Sequence, residues 1–486
     1  MSLKKNVVYN AILSVSNVAF PIVTTPYISR ILGVENIGVV NFAVAYASYF
    51  ALFVALGIPM YGMREIAKRN ENPEDRSRMF SELFMINVLS ALIFSLVYLV
   101  TIFSIPTLYN DRNFLLVAGA LVLFVPLNVD WFFAGREKFK QITLRTLIAK
   151  VIVLAGLFIF VRTQDDIIPY LILVVAANLL SQIWSFGYLM KTEVKFRLRN
   201  LQIKKHINAI LVLFASNIGV SIYTMLSTLM LGFLSDYTQV GYYTSAIKIS
   251  KITLTIVAAM SPVMVVRINT IRGKKDGQKE ISRLLNNSFG YTMMLAIPAT
   301  VGLTVIAPHF VPMFFGKEFI PITFSVQLLS LLVIITGANT IFTSQILFGM
   351  GFDKKALISI LLGSASSLVL NIPLIKYYGA LGASIASVLS ETTVLVAAII
   401  FVSKLMPFHL NVKSISHPLL ASLPIIPLSL WIDSFSSSFY YLLILIVTGV
   451  TVYIIIMVFI LKNEQANQFF YNMMEKVLSL KRKNKQ

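Results

Sequence analysis

The sequence predicts an all-α polytopic membrane protein, and three observations carry that prediction. Of its 486 residues 57% are apolar and only 13% charged, with a mean hydropathy of +0.80; soluble domains run near about 45–50% apolar and about 25% charged. The apolar residues gather into about fourteen segments of membrane-crossing length. The basic residues alternate from one connection to the next. Together these exclude a soluble multi-domain enzyme, a disordered chain and a disulfide scaffold. At about 20 residues per span, fourteen spans use about 280 residues and leave no room for a large soluble domain.

In chain order the apolar segments run over 7–32, 37–63, 80–105, 114–134, 144–161, 167–190, 209–234, 241–266, 285–308, 320–349, 356–375, 379–402, 418–433 and 439–461. The first follows Lys4 and Lys5. It is too long for a signal-peptide core and lacks a small-residue cleavage site after it, so it reads as a retained span. The fifth and thirteenth are short, and a count of twelve, without the last two, is the alternative. Of the 41 Lys and Arg, 33 fall at the two ends and in the even-numbered connections. Five (Arg30, Arg112, Arg162, Lys317, Lys376) fall in the odd-numbered ones, and three (Lys150, Lys248, Lys251) inside spans. Cytoplasmic loops collect Lys and Arg, so the bias predicts both termini in the cytoplasm. It also explains the net charge of +20 without nucleic acid as a partner. The tail Lys481-Arg482-Lys483 reads as a flank attracted to anionic membrane lipids. The absence of cysteine removes thiolate chemistry, disulfides and Cys-ligated metal.

An internal repeat organises the spans. Asn10-Ala-Ile-Leu13 recurs as Asn208-Ala-Ile-Leu211, and Ser16-Asn17, Ile22 and Thr24 recur as Ser216-Asn217, Ile222 and Thr224. Gly135-Arg-Glu137-Lys138 recurs as Gly351-Phe-Asp353-Lys354, in the turn after the fourth span of each half. A unit of six spans enters the membrane the same way twice, which predicts two parallel lobes about a central cavity. The expected domains are an N-lobe over 1–206, a C-lobe over 207–403, two extra spans over 404–463 and a basic cytoplasmic tail over 464–486.

Polar residues inside the spans mark the candidate site. Asn10, Ser14, Asn17, Pro21 and Thr24 share one face of the first span, and Asn217, Ser221 and Thr224 share one of the seventh. They read either as helix–helix hydrogen bonding or as the lining of a polar cavity, and their recurrence favours the cavity. Pro21 and Pro26 are expected to bend the first span. A charge at depth requires water or a partner. Lys248 and Lys251, three residues apart, project from one face of the eighth span, with snorkelling as the plain alternative. Lys150 in the fifth span and Arg30 at the outer end of the first have similar alternatives. Glu391, mid-way along the twelfth span with no cation near it on its own helix, is the candidate for ion coupling. Asp130 lies near the cytoplasmic end of the fourth span, close to Arg136, and reads equally as a structural ion pair with it or as a functional acid.

Catalysis has little support. The four histidines, His206, His309, His409 and His417, lie at span ends or in loops without H-E-x-x-H spacing, and there is no P-loop. The outer pair Asp165-Asp166 occupies a loop of about six residues and reads as a solvated turn. No cofactor and no resident metal is implied.

Four stretches resemble a known family: Pro26-Tyr-Ile-Ser-Arg30-Ile-Leu-Gly33-x-Glu35-x-x-Gly38, Tyr61-Gly-x-Arg64-Glu65-Ile-Ala, Asp130-Trp131-Phe132-Phe133-x-Gly135-x-Glu137-x-Phe139, and Gly241-Tyr-Tyr-x-x-Ala246-x-Lys248. They are similar to polysaccharide flippases of the Wzx type, in the multidrug/oligosaccharidyl-lipid/polysaccharide exporter superfamily. The resemblance covers the first twelve spans. It implies two six-helix lobes with alternating access. The cargo it implies is an undecaprenyl-pyrophosphate-linked oligosaccharide flipped from the cytoplasmic to the outer leaflet, with the polysaccharide polymerase and chain-length machinery as partners. Fourteen spans resemble the related lipid II flippases, which carry a lipid-tail groove beside the last two helices. A pyrophosphate needs cations in a low-dielectric cavity, and Arg30, Lys150, Lys248 and Lys251 are the candidates. Arg64, Asp130, Trp131, Gly135 and Glu137 belong to motifs that read equally well as structural packing. A cation-coupled drug exporter of the same superfamily and a membrane glycosyltransferase or polymerase remain as alternatives.

Overall fold

The computed structural model describes residues 3–69, 71–197, 201–258, 264, 268, 270, 271, 277–405, 411–433 and 439–468. Among them every regular element is helical. The chain divides into two compact units, Met1–Thr244 and Ser245–Gln486.

The first unit opens with α1 (Leu3–Ala55). An unbroken helix of 53 residues would rise about 80 Å, far beyond about 30 Å of hydrocarbon. It is broken at Gly33 (φ 74°, ψ 176°), while Pro21 and Pro26 lie within helical backbone. A positive φ is open to glycine at little strain, so the break falls between the first two apolar segments and not at the prolines. The second segment was expected to run to residue 63, but the helix ends at Ala55 and Leu56 takes a φ of 48°. A separate amphipathic α2 (Ile58–Lys68) follows, with Pro59 in its first turn. Next, α3 (Pro73–Ser104) begins at a strong signal: Asn72 Oδ1 accepts the N–H groups of Glu74 and Asp75, Pro73 opens the helix, and two acids occupy its first turn.

The fourth apolar segment is also interrupted. After α4 (Pro106–Asn110) and α5 (Arg112–Leu123), a 3₁₀ turn over Val125–Leu127 precedes α6 (Asp130–Gly135), because Pro126 has no N–H to continue the ladder. The long helices α7 (Phe139–Phe160), α8 (Ile167–Thr192) and α9 (Lys204–Leu234) follow, then α10 (Tyr237–Ala258). Between α7 and α8, Asp166 Oδ2 accepts the backbone N–H groups of Arg162 and Thr163 at 2.9 and 2.8 Å. These bonds, with the Thr163 hydroxyl, hold its carboxyl below the usual range, so this acid serves the turn.

The second unit contains the rest of α10, α11 (Gly277–Phe314), α12 (Thr323–Asn339), continued by a π-helical stretch over Thr340–Phe348, and α13 (Asp353–Ser403). α13 breaks at Gly379 (φ 53°, ψ −127°), at the start of the twelfth apolar segment, much as α1 breaks at Gly33 just after the first. It ends with α14 (Lys413–Ser422), α15 (Ile425–Asp433) and α16 (Phe439–Ile455). Ile425, Ile432, Tyr441 and Leu445 of α15 and α16 pack against Val305, Ile306 and Phe310 of α11.

Ten helical segments among the described residues are long and apolar enough to cross a membrane. Their outward faces agree with lipid as solvent: on α3, Leu89, Leu92, Ile93, Leu96 and Val100 are all 48–64% exposed at helical spacing. Such a stripe in water would be a large unfavourable patch.

Candidate functional site

In the first unit the polar face of α1 meets the deep cation of α7. Lys150 Nζ donates to Asn17 Oδ1 at 2.6 Å and to Ser16 Oγ at 3.3 Å, and it lies 5.7 Å from the centroid of the Phe20 ring. An ammonium has three donors, and these two acceptors are neutral. Ser14 and Asn17 are exposed and Lys150 is half-buried. Further along α1 the face changes character: Thr24 is buried and its hydroxyl donates to the Phe20 carbonyl at 3.0 Å. Arg30 is exposed in the last turn before the Gly33 break. The side chains of Asn10, Asn217, Ser221 and Thr224 lie outside the described residues.

In the second unit, Lys248 is half-buried and Lys251 exposed, one turn apart on α10. The charge of Lys251 interacts with that of Glu391 on α13. Asn339, at the end of α12, donates its amide to Glu391 Oε2 at 2.7 Å and to the Glu391 carbonyl at 3.0 Å. Three helices therefore supply groups to this carboxylate. Asn339 is followed by the π-helical stretch, a geometry that recurs at functional sites. A cavity of about 740 Å³ also lies in this unit, lined by Leu295, Pro298 and Gly302 of α11 and by Leu445, Gly449 and Tyr453 of α16.

The motifs that begin at Tyr61 and at Asp130 form one packing unit in the first unit. Trp131 stacks on Phe80 at 5.8 Å and fills the space that a Cβ at Gly62 would need. A Cβ at Gly135 would stand 2.6 Å from the Met63 carbonyl. Trp131, Phe132 and Phe133 are all buried with Ile58, Ile66 and Leu83. Arg64 is exposed. Asp130 pairs with Arg145 of α7 and not with Arg136, whose guanidinium lies 3.7 Å from Glu193. Helix α6 ends between Asp130 and Arg136, so nearness in sequence does not carry the two side chains together, whereas α7 brings Arg145 back. Glu137 takes a φ of 54°. Lys138 N–H bonds to the Phe133 carbonyl and Glu137 N–H to that of Ala134, a Schellman cap. Phe352 to Leu347 and Gly351 to Phe348 repeat it in the second unit, with Gly351 at φ 75°. The same cap thus occurs in the matching turn of each half, but it sets Glu137 against Gly351, two residues out of the register of the sequence match, which pairs Glu137 with Asp353.

Sequence reasoning overlooked Glu82. It is 1% exposed and bonds His206, also 1% exposed, through Nε2 at 2.8 Å. The available signal was an acid three residues into an apolar run.

The profile of the family described as "Polysaccharide biosynthesis protein" matches residues 3–266. The chain belongs to that family. This member is 24% identical, over 83% of its length and 97% of the relative's, to the "Putative O-antigen transporter" of Escherichia coli (strain K12). Over a quarter of its length it is 30% identical to "Lipid II flippase MurJ" of Bacillus subtilis (strain 168), covering 24% of that protein. Among solved structures its fold is similar to "Lipid II flippase MurJ, inward closed conformation", with a TM-score of 0.67 and 17% identity over 90% of this chain and 97% of that one. It is also similar to an inward-facing multidrug resistance MATE family transporter of the MOP superfamily, with a TM-score of 0.61 and 15% identity over 78% of this chain and 92% of that one. At these identities the structural likenesses concern the fold alone. That fold is a multi-pass transporter fold, as the resemblance implied.

Proposed function

We propose that this polysaccharide-biosynthesis protein flips an undecaprenyl-pyrophosphate-linked oligosaccharide from the cytoplasmic to the outer leaflet of a bacterial plasma membrane. The product supplies capsule, exopolysaccharide or O-antigen synthesis. The observation that carries the reading, beside family membership, is Lys150: a cation within an apolar helix whose hydrogen-bond acceptors are the neutral Asn17 and Ser16. A positive charge that pairs with no acid among the described residues suits an anionic head group, for which charge-assisted bonds are strong. A drug exporter selecting organic cations would favour an acid in its stead. Lys248, Lys251 and Arg30 supply further cations, and Ser14 and Asn17 meet sugar hydroxyls. The apolar cavity beside α16 suits the hydrocarbon tail, as the lipid II flippase resemblance implies.

The reading includes fourteen spans with both termini cytoplasmic. Six spans from residues 1–206 and six from 207–403 form the two repeats, with two more over 404–463. The chain has no P-loop, so the driving force is an ion gradient or the membrane potential; one charge through 100 mV yields about 2.3 kcal/mol. Glu391 is the coupling carboxylate. Asn339 and Lys251 orient it and bias its charge. The test is deletion of the gene followed by lipid extraction. Undecaprenyl-linked oligosaccharide is expected to accumulate facing the cytoplasm; unchanged levels, with surface polysaccharide intact, refute the proposal.

A further inference from the structure

Glu82 is a buried carboxylate that this function leaves unused. Oε1 accepts Arg78 Nε at 3.2 Å and the backbone N–H of Gln202 at 2.8 Å. Oε2 bonds His206 Nε2 at 2.8 Å and faces Lys205 Nζ at 3.5 Å. The other ring nitrogen of His206 bonds the Tyr61 hydroxyl at 2.8 Å. Along the same helix, Ser77 Oγ accepts the N–H of Lys195 at 3.3 Å and Ser81 Oγ that of Arg197 at 3.1 Å. Glu193, just after α8, is held by Arg76, Arg136 and Lys138.

The described part of the connection from α8 to α9 thus runs along α3. Backbone N–H groups outside helices need partners, and here Ser77, Ser81 and Glu82 supply them at i, i+4 and i+5. We infer that Glu82 is a positioning residue. With the two serines it straps residues 193–197 and 201–206 onto α3, fixes the first turn of α9 through His206, and keeps the strap closed throughout transport. Opening it would strand a buried carboxylate, a buried imidazole and three backbone donors at once. A buried network with both Glu82 oxygens and both His206 nitrogens bonded resists partial rupture. Movement of α9, which begins the second repeat, then starts beyond its first turn. The transport consequence rests on the flippase reading; the strap itself does not.

The chain has no cysteine, so Ser81→Cys with Arg197→Cys can be joined by a short bis-methanethiosulfonate reagent without background. The linked protein is expected to transport as well as the unlinked one. Glu82→Gln is expected to expose Lys195 and Arg197 to trypsin in inside-out vesicles about tenfold faster, the factor for losing one hydrogen bond to a charged group. Transport should fall with it, and the cross-link should restore transport in the Glu82→Gln background. A cross-link that blocks transport, with recovery on reduction, overturns the inference, because the strap must then open. Trypsin cleavage as slow in Glu82→Gln as in the native protein overturns it too. Should Glu82→Gln fail to accumulate, His206→Gln is read by the same cleavage: faster cutting supports the strap, and an unchanged rate overturns it. Cleavage needs no cargo, so it decides the strap even if gene deletion leaves lipid-linked oligosaccharide unchanged and the flippase reading fails.

Discussion

Replacing Lys150 by methionine removes the ammonium and keeps most of the stem. The structure limits what else changes. Among the described residues Nζ bonds neutral acceptors alone, Asn17 Oδ1 and Ser16 Oγ, and Asn17 is exposed, so its freed oxygen finds another donor in a water-filled site. Loss of these bonds should change stability by about 1 kcal/mol or less. Loss of a charged contact to a desolvated anion costs about 1.5–3 kcal/mol, which is about ten- to a hundredfold in affinity. Lys150→Met is therefore expected to accumulate normally and to export surface polysaccharide about ten- to a hundredfold more slowly. The assay compares membrane abundance by blot with the initial rate of export in a deletion strain. Asn17→Ala should produce a smaller loss, about two- to tenfold, because it frees the ammonium without removing it. Combined with Lys150→Met it should add little, since the two act as one unit. Normal transport by Lys150→Met refutes the reasoning, as does a loss explained by abundance alone.

Four further outcomes test other parts of the structure. Lys251→Ala should cut export about ten- to a hundredfold at normal abundance, with Lys251→Arg retaining part of it; unchanged export by Lys251→Ala leaves the lysine merely snorkelling. Glu391→Gln can still accept the Asn339 amide, so it should remain folded while its transport stops responding to the pH gradient; a response like that of the native protein removes Glu391 from coupling. A Cβ at Gly38 would overlap the Tyr237 carbonyl, so Gly38→Ala should destabilise by about 1–3 kcal/mol, and an unchanged melting temperature in detergent contradicts the packing. For topology, Glu71→Cys spares the Asn72 cap of α3 and should be labelled only from the cytoplasmic side; labelling in intact cells by an impermeant reagent inverts the assignment.

What the sequence disclosed was set by which physical signal is local. Apolarity is local, so the membrane class and the separation of segments at Gly33 and Gly379 were legible. Backbone continuity is less so: hydropathy ran straight through Leu56 and Pro126, where the helices stop. Partners are not local at all. Lys150 and Asn17 each stood out as polar in an apolar run, but they lie 133 residues apart, and only packing joins α1 to α7. Asp130 was given the nearest cation in sequence. Its actual partner, Arg145, comes from the next helix. Glu82 escaped notice because an acid near the start of an apolar run looks like a flank, and nothing in its neighbourhood announces His206.

The distribution of charge partners then bears on selectivity more directly than net charge does. In the first unit several acids hold cations: Glu65 with Lys68 and Arg69, Glu193 with three, Asp130 with Arg145. Burial raises the Glu65 carboxyl, yet its bonds to Lys68 and Arg69 outweigh that and hold it below the usual range. These pairs consume positive charge and tie helices together. Lys150 is treated differently, since its amide, hydroxyl and ring neighbours attract the ammonium without neutralising it. A side chain so placed keeps its long-range attraction for an anion, because dipoles fall off faster with distance than a counter-charge would. The same composition with Glu at position 17 would have the same fold-forming apolar pattern and a neutral site. Asn17→Glu therefore separates the two explanations of the positive bias: it leaves the loops untouched, and on the present reading it abolishes recognition of an anionic head group.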